Sequence, residues 1–426
     1  MLTGFKSAIK GFIPGPVLKV ILPPYHFLRA VVANFIYGSP AKQMHVIMVT
    51  GTNGKTTTAV LIAKILEEAG NRVGLSSTAF FQTGKEVIPN DKNMTVTNPF
   101  SLQKMLDKMR KAEVDWAVIE VTSHALSQYR TWGIPVEAAV MTNLTQDHLD
   151  YHGTMEKYAA AKGKLFAKKP NFIVLNSDDQ WFEFFDKYEA KTKKVSYGTK
   201  ESDECRIVSA KLGKKSSTLK LALGSEEIEV NLGLIGKFNA YNALAATATA
   251  YAIGVAPKYI KRGLEAVTNV PGRLEKIEEG QNFDVIVDYA HTPDALENSL
   301  ETLKAMTKGK LITVFGATGD RDKDKRPKMG KIVGNLSDVA MVTDDEPYSE
   351  DPAKIRSEVI AGFHETAADM REVASRREAI SMAIGQAKAG DTVYITGMGH
   401  QQFRVVGDHK EKWDDRQIAR EILKQK

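Results

Sequence analysis

The stretch "HVIMVTGTNGKTTTAV" (residues 45–60) decides the fold. Its first part is an apolar, β-branched run of strand length, closed by a turn carrying Gly51 and Gly54. After the turn, Ala59, Ile62, Ala63, Leu66 and Ala69 recur at helical spacing up to Gly70. A strand, a tight glycine turn and a helix N-terminus in series form a phosphate cradle. The glycines let successive backbone N–H groups face an anion, and the helix points its positive end at it. Lys55 adds a mobile cation and Thr56 a hydroxyl suited to Mg²⁺. Val49 stands where the first glycine of a full Walker A pattern would be, so the loop is a variant of that motif.

Working outward, short β-rich runs alternate with helical patterns, which predicts an α/β protein with mostly parallel sheets. Strands are expected at 46–50, 116–121, 136–142 and 172–175, then at 283–288, 311–316, 338–343 and 391–396. Residues 205–232 alternate like antiparallel hairpins, and an Ala-rich helix is expected over 239–253. "NVPGRLE" (269–275) reads as a joint. A chain of 426 residues is long for a single domain. We therefore expect a short basic N-terminal segment (1–45), a P-loop central domain (46–272) and a Rossmann-like C-terminal domain (273–426).

The lone cysteine, Cys205, excludes an internal disulfide framework and suits a reducing cytoplasm. Net charge is +6, of which residues 1–50 carry +5 without a single acid. The basicity therefore belongs to the N-terminus, and no extended nucleic-acid surface is expected. That segment is apolar but interrupted by Pro14, Pro16, Pro23 and Pro24, leaving Tyr25–Tyr37 too short to span a bilayer. It lacks a leader-peptide cleavage pattern. Residues 11–38 are expected to pack on the body as a helix, with a peripheral membrane contact as the sharper alternative.

Further chemistry sits at the predicted strand ends, where open α/β sheets bind ligands. "DWAVIEVTSHAL" places Glu120 there as a candidate Mg²⁺ ligand, with His124 close by. "MTNLTQDHLDYHGT" does the same for Asn143, Asp147 and His148. In "TMEKYAAAKGKLF", Lys162 falls on the apolar stripe of Met155, Tyr158, Ala159, Leu165 and Phe166. A lysine facing inward must snorkel, find an anion or lose its charge, and a neutral amine can take up CO₂ as a carbamate.

Eight segments in order, "TGTNGKTT", "EVTSHAL", "TNLTQDHLDYHGTMEKYAAAK", "LIGKFNAYNALAA", "VPGRLE", "VDYAHTPDAL", "FGATGDRDKDKRP" and "GMGH", resemble the Mur ligase superfamily. Within it they look most like the muramoyl-tripeptide synthetases. The resemblance implies an ATP- and Mg²⁺-dependent amide ligase of peptidoglycan synthesis, working through an acyl phosphate. It implies that Gly51, Thr52, Asn53, Gly54, Lys55, Thr56 and Thr57 hold the ATP phosphates. Asn239, Asn242, Arg273, Asp288, His291 and Asp320 would grip the nucleotide or close the domains, with Arg321, Lys325 and Arg326 in the same basic loop. Thr56 and Glu120 would hold one metal, and His148 with Lys162 as N6-carboxylysine a second; Lys55, Glu120, His148 and Lys162 would be the catalytic set. Thr95, Thr122, Gln128 and Arg130 fall at positions for a muramoyl-peptide nucleotide acceptor, and Asp345, Glu346, Tyr348, Gly397 and Gln401 at positions for an incoming L-amino acid. A monomer is expected.

Three departures from the family's pattern bear on the substrates. An Asp-Asn-Pro-Arg signature becomes Asp345-Glu346-Pro347-Tyr348, replacing a carboxylate-clamping arginine by a phenol. A Gly-Lys-Gly-His-Glu segment becomes Gly397-Met398-Gly399-His400-Gln401. Both favour lysine or another diamino acid over meso-diaminopimelate, with Glu346 as an amine partner. The segment before the P-loop is shorter than the family's uridine-binding domain, and a Thr-Thr-Pro signature reads Thr95-Val96-Thr97. A folylpolyglutamate synthetase-like or other γ-glutamyl ligase, and a non-catalytic nucleotide-binding partner, are the alternatives.

Overall fold

The structure, a computed structural model, describes residues 15–90, 96 and 98–425, with side chains of the first helix from Val20 onward. Thr95 and residues 11–14 of the N-terminal segment lie outside the described residues. Among those described, eleven strands form the larger sheet. They are β1 (His45–Thr50), β2 (Val73–Ser76), β3 (Phe80–Thr83), β4 (Glu86–Pro89), β5 (Trp116–Glu120), β6 (Ala138–Met141), β7 (Phe172–Asn176), β8 (Lys193–Gly198), β9 (Cys205–Leu212), β10 (Ser217–Leu223) and β11 (Glu226–Leu232). Their order is β11-β10-β9-β8-β7-β6-β1-β5-β2-β3-β4. The run from β9 to β2 is parallel, and each flank turns antiparallel as a meander.

The apolar run of β1 follows from its central place, covered on both faces. Ile47 and Val49 pack with Ile62 and Leu66 of the helix Lys55–Glu68 and with Leu244. Val46 and Met48 point the other way, against Leu102 and Leu106 of the helix Pro99–Lys111. The Ala-rich helix Lys237–Ala252 is buried along most of its length because alanine permits close approach to the helix Lys55–Glu68 and to β8.

A second sheet is built from β12 (Glu275–Lys276), β13 (Asp284–Asp288), β14 (Leu311–Phe315), β15 (Val339–Val342), β16 (Asp369–Glu372) and β17 (Thr392–Thr396), ordered β12-β13-β17-β14-β15-β16. Only the β12–β13 pair is antiparallel. Separate apolar clusters cover its two faces. A hairpin of β18 (Phe403–Val406) and β19 (His409–Lys412) follows, tied by a bridge from Val406 to Tyr348. The eight strands expected along the two parallel sheets and the hairpins over 205–232 are all present, giving the α/β architecture with two sheets.

One local expectation is corrected. Pro23 and Pro24 do not interrupt the N-terminal segment, because a single helix, Gly15–Ile36, runs through both. Both prolines are solvent-exposed, so the carbonyls that lose their helical donors can be hydrated. The helix packs on the helix Pro99–Lys111. No helix among the described residues is long and apolar enough to cross a membrane.

Candidate active site

The P-loop turn is possible only with glycine at two points. Gly54 has φ +81°, and a Cβ there would stand 2.1 Å from Asn242 Oδ1; one on Gly51 would stand 1.8 Å from Thr142 Oγ1. With those atoms absent, the loop sits at the C-terminal ends of three adjacent parallel strands, β6, β1 and β5. Val49 lies opposite Glu120 and Thr50 opposite Met141, which brings the loop, Glu120 and the segment after β6 to one edge.

That edge forms one wall of a cleft of about 1000 Å³, and the second sheet supplies the other. Of the residues singled out by sequence, Thr52, Asn53, Gly54, Lys55, Thr56, Thr57, Glu120, Thr122, Arg130, His148, Asn242, Arg273, Asp288, His291, Asp345, Glu346, Tyr348, Gly397 and Gln401 line it. Gly51, Gln128, Lys162 and Asn239 stand just behind the lining. Gln128 accepts from Arg130, Asn239 accepts from Asn242, and Lys162 Nζ donates to the Gly51 carbonyl at 2.7 Å. Asp320 is turned away, its carboxylate accepting from the Ser349 N–H and hydroxyl. Arg326 is likewise structural, buried against Glu350 and Glu358.

Thr56 is the centre of a polar knot. Its hydroxyl donates to Glu120 Oε2 at 2.9 Å and accepts from Arg273 Nη2 at 3.0 Å, across the cleft. Glu120 also accepts from the Thr78 N–H and hydroxyl. Sequence reading missed Thr78, because only the β2–β5 pairing brings it beside Glu120. Lys55 donates to the Thr52 carbonyl at 2.7 Å, and burial pulls its ammonium below the ordinary lysine range despite the nearby Glu120.

Lys162 is almost fully buried, with its amine 4.6 Å from the Tyr158 ring centroid. Burial, reinforced by the charge on Lys55, drives it well below the usual lysine range. His148 has a left-handed backbone (φ 55°) and its Nε2 lies 3.2 Å from Asp147 Oδ2. Its sequence neighbour Asp147 is thus its carboxylate partner. Burial lowers His148 to about 3, against the attraction of Asp147. Burial opposes ionisation of Asp147 too, but His148, Lys325 and His291 outweigh it and hold the carboxyl below its ordinary value. Burial also lowers His291 to about 4.

The two walls are stitched together by side chains. Asn53 Nδ2 donates to Asp294 at 2.6 Å, Lys328 to Gln146 at 2.6 Å, and Lys325 lies 3.8 Å from Asp147. Asp288 lines the cleft with its oxygens engaged by the Leu274 N–H, Ser299 and Tyr394, so it fixes the chain within the "NVPGRLE" segment.

At the far end, Glu346 is buried, accepting from the Val405 N–H at 3.1 Å and from Gln401 at 3.4 Å, neither of them charged. Burial and the adjacent Asp345 push it up to about 7. Tyr348, also at positive φ, carries the Arg321 guanidinium 5.0 Å from its ring centroid. A cation from a different loop therefore enters the region where the sequence lacks an arginine. The arrangement suits an anionic, phosphate-bearing ligand at the loop and an ammonium-bearing one near Glu346.

Known proteins share this organisation. Residues 49–250 match the Mur ligase middle domain and residues 272–399 the Mur ligase glutamate ligase domain. The chain is 43% identical to a UDP-N-acetylmuramoyl-L-alanyl-D-glutamate–2,6-diaminopimelate ligase of Syntrophomonas wolfei, over 97% of this chain and 85% of that one. It is 40% identical to the enzyme of the same name from Geobacillus thermodenitrificans, over 96% and 84%. A solved structure bearing that name superposes with TM-score 0.64 at 32% identity, covering 93% of this chain and 83% of the other. Mycobacterium tuberculosis folylpolyglutamate synthase, at 20% identity, shares the fold, with TM-score 0.71 over 87% and 91%. This chain belongs to the Mur ligase family and is an ATP-dependent ligase.

Proposed function

We propose that the protein joins a diamino acid, L-lysine in preference to meso-diaminopimelate, to the D-glutamyl carboxylate of UDP-N-acetylmuramoyl-L-Ala-D-Glu or a related precursor. The observation that carries the reading is Glu346, a buried carboxylate in the wall of the ATP-site cleft whose hydrogen-bond partners are neutral. An ammonium group is the partner that would hold its charge in place. Tyr348, standing where the family's signature has arginine, adds support.

The chemistry follows from the two ends of the cleft. A carboxylate is a poor electrophile, so the γ-phosphoryl group of ATP is transferred to it, giving an acyl phosphate and ADP. The amine of the amino acid then attacks the acyl carbon, phosphate leaves, and the amide forms with loss of a proton. The P-loop N–H groups and Lys55 hold the phosphates, and Arg273, reaching across to Thr56, adds positive charge where negative charge develops. The bridges from Asn53 to Asp294 and from Lys325 to Asp147 keep the cleft closed to water, which would otherwise hydrolyse the acyl phosphate.

The Thr56 hydroxyl and Glu120 carboxylate, 2.9 Å apart, are the oxygen donors a hard cation prefers, so these residues would hold Mg²⁺. Bound there, it would neutralise charge on the phosphates. Lys162, buried and with its ammonium disfavoured by that burial, would join such a donor set with His148 only after taking up CO₂ as a carbamate and releasing a proton.

A second reading has its own observation. Arg321 over Tyr348 offers a guanidinium to a distal carboxylate, and the relatives at 43% and 40% identity are named for 2,6-diaminopimelate. The test is amide formation and phosphate release from Mg-ATP with UDP-N-acetylmuramoyl-L-Ala-D-Glu, scanned over lysine, ornithine and diaminopimelate. Turnover with lysine at least about tenfold above diaminopimelate supports the first reading. The reverse ratio assigns Arg321 the clamp and discards the lysine preference.

A further inference from the structure

The helix Gly15–Ile36 has two unlike faces. Ala30 and Ala33 are buried, Asn34 packs beside Gly133, and the Phe27 ring meets Tyr129 and Trp132 edge-on at 5.7 and 5.5 Å. Half a turn away, Ile21, Tyr25, Leu28, Val32 and Phe35 recur at spacings of four and three and form one exposed stripe. Leu28 is 61% exposed, Phe35 85% and the flanking Ile36 63%. The structure offers this stripe no cover among the described residues. A run of large apolar side chains, about 22 Å of helix length from Ile21 to Phe35, is not the ordinary scatter of surface leucines.

Charge chooses between the surfaces that could cover it. Lys6, Lys10, Lys19, Arg29 and Lys42 are the only charged side chains in the first fifty residues, leaving +1 for all the rest of the chain. A second copy would bring an equally basic, acid-free segment against the first, and like charges would oppose the contact. An anionic lipid surface meets both properties at once, apolar side chains entering the acyl boundary and lysines lying among the headgroups.

We propose that this helix docks the enzyme on an anionic phospholipid membrane, lying in the interface plane with the Ile21–Phe35 stripe inward. The opposite face holds Tyr129 and Trp132, which flank Arg130 of the cleft wall. The docked enzyme would thus carry that side of its cleft close to the bilayer.

The test uses the full chain and vesicles of phosphatidylcholine, with or without phosphatidylglycerol, in a sedimentation assay. The protein is expected to bind the phosphatidylglycerol vesicles, to bind neutral ones far less, and to be released as salt screens the headgroups. The double variant Leu28→Glu, Phe35→Glu alters only exposed positions. Its thermal unfolding and phosphate release should match the parent while its vesicle binding falls at least about tenfold. Absence of binding to anionic vesicles, or equal binding by the variant, would overturn the proposal. So would a parent dimer that the variant returns to monomer, which would give the stripe to a second copy.

Discussion

A lysine whose one hydrogen bond is to a backbone carbonyl has no need of its charge, and Lys162 is held in that way beneath the P-loop. If Lys162 carries the proposed carbamate, Lys162→Met should fold and lose about 100-fold in phosphate release. In Lys162→Ala, formate or acetate should restore part of the activity by standing in for the carbamate. Failure of any short carboxylate to rescue would leave the residue as a loop anchor alone. Glu346 gives a second residue-scale expectation. It is pushed up to about 7, so it takes on a proton as pH falls through that value and loses its attraction for an ammonium group. The KM for the amino acid should rise as pH drops below about 7 while kcat changes less. Glu346→Gln should raise that KM about tenfold and flatten its pH dependence; an unchanged KM would remove Glu346 from the amine site.

Elements are tied by fewer groups than their number suggests. Arg376, at the start of the helix Arg376–Gln386, and Asp415, at the start of the C-terminal helix Asp415–Lys424, are both fully buried and make a two-pronged pair at 2.9 and 2.7 Å. Arg376→Met should cost about 3–5 kcal/mol in urea unfolding, because the buried Asp415 is left with the Trp413 N–H but without its cationic partner. Adding Asp415→Leu should recover most of it; no recovery would mean the pair is not what joins the two helices. Much at this scale was legible in the sequence. Buried parallel strands announce themselves as apolar runs, and the β1–loop–helix unit is local chemistry. The short flanking strands β2, β3 and β4, four residues each, carry too little pattern to be read. The site divides on the same line. Lys162 stood out because a lysine broke an apolar stripe, whereas Thr78 and the seating of Arg321 over Tyr348 depend on chain pairing across long separations. The turn of Asp320 away from the cleft is hidden for the same reason, since its partner Ser349 lies 29 residues away in another loop.

At the scale of the molecule, the cleft works only while its two walls stay together. On the proposed function, phosphoryl transfer would need the P-loop wall and Arg273, and amide formation would also need the Glu346 end and a dry path between them. Asn53, on the P-loop, donates to Asp294 at the start of the helix Pro293–Met306 at 2.6 Å, a side-chain bridge that joins the walls beside the P-loop. Asp294→Ala removes the acceptor without touching the phosphate-binding N–H groups or Glu120. It should leave ATP binding nearly intact, since the loop's turn is set by Gly51 and Gly54. The walls should then part more often after acyl phosphate has formed, and water should compete with the amine. Measured together, phosphate release and amide formation should no longer match, with several phosphates lost per amide, and more amino acid should narrow the gap. If both rates fall by the same factor and the ratio stays at one, the bridge positions ATP rather than excluding water, and closure must rest on Lys325 and Asp147 instead.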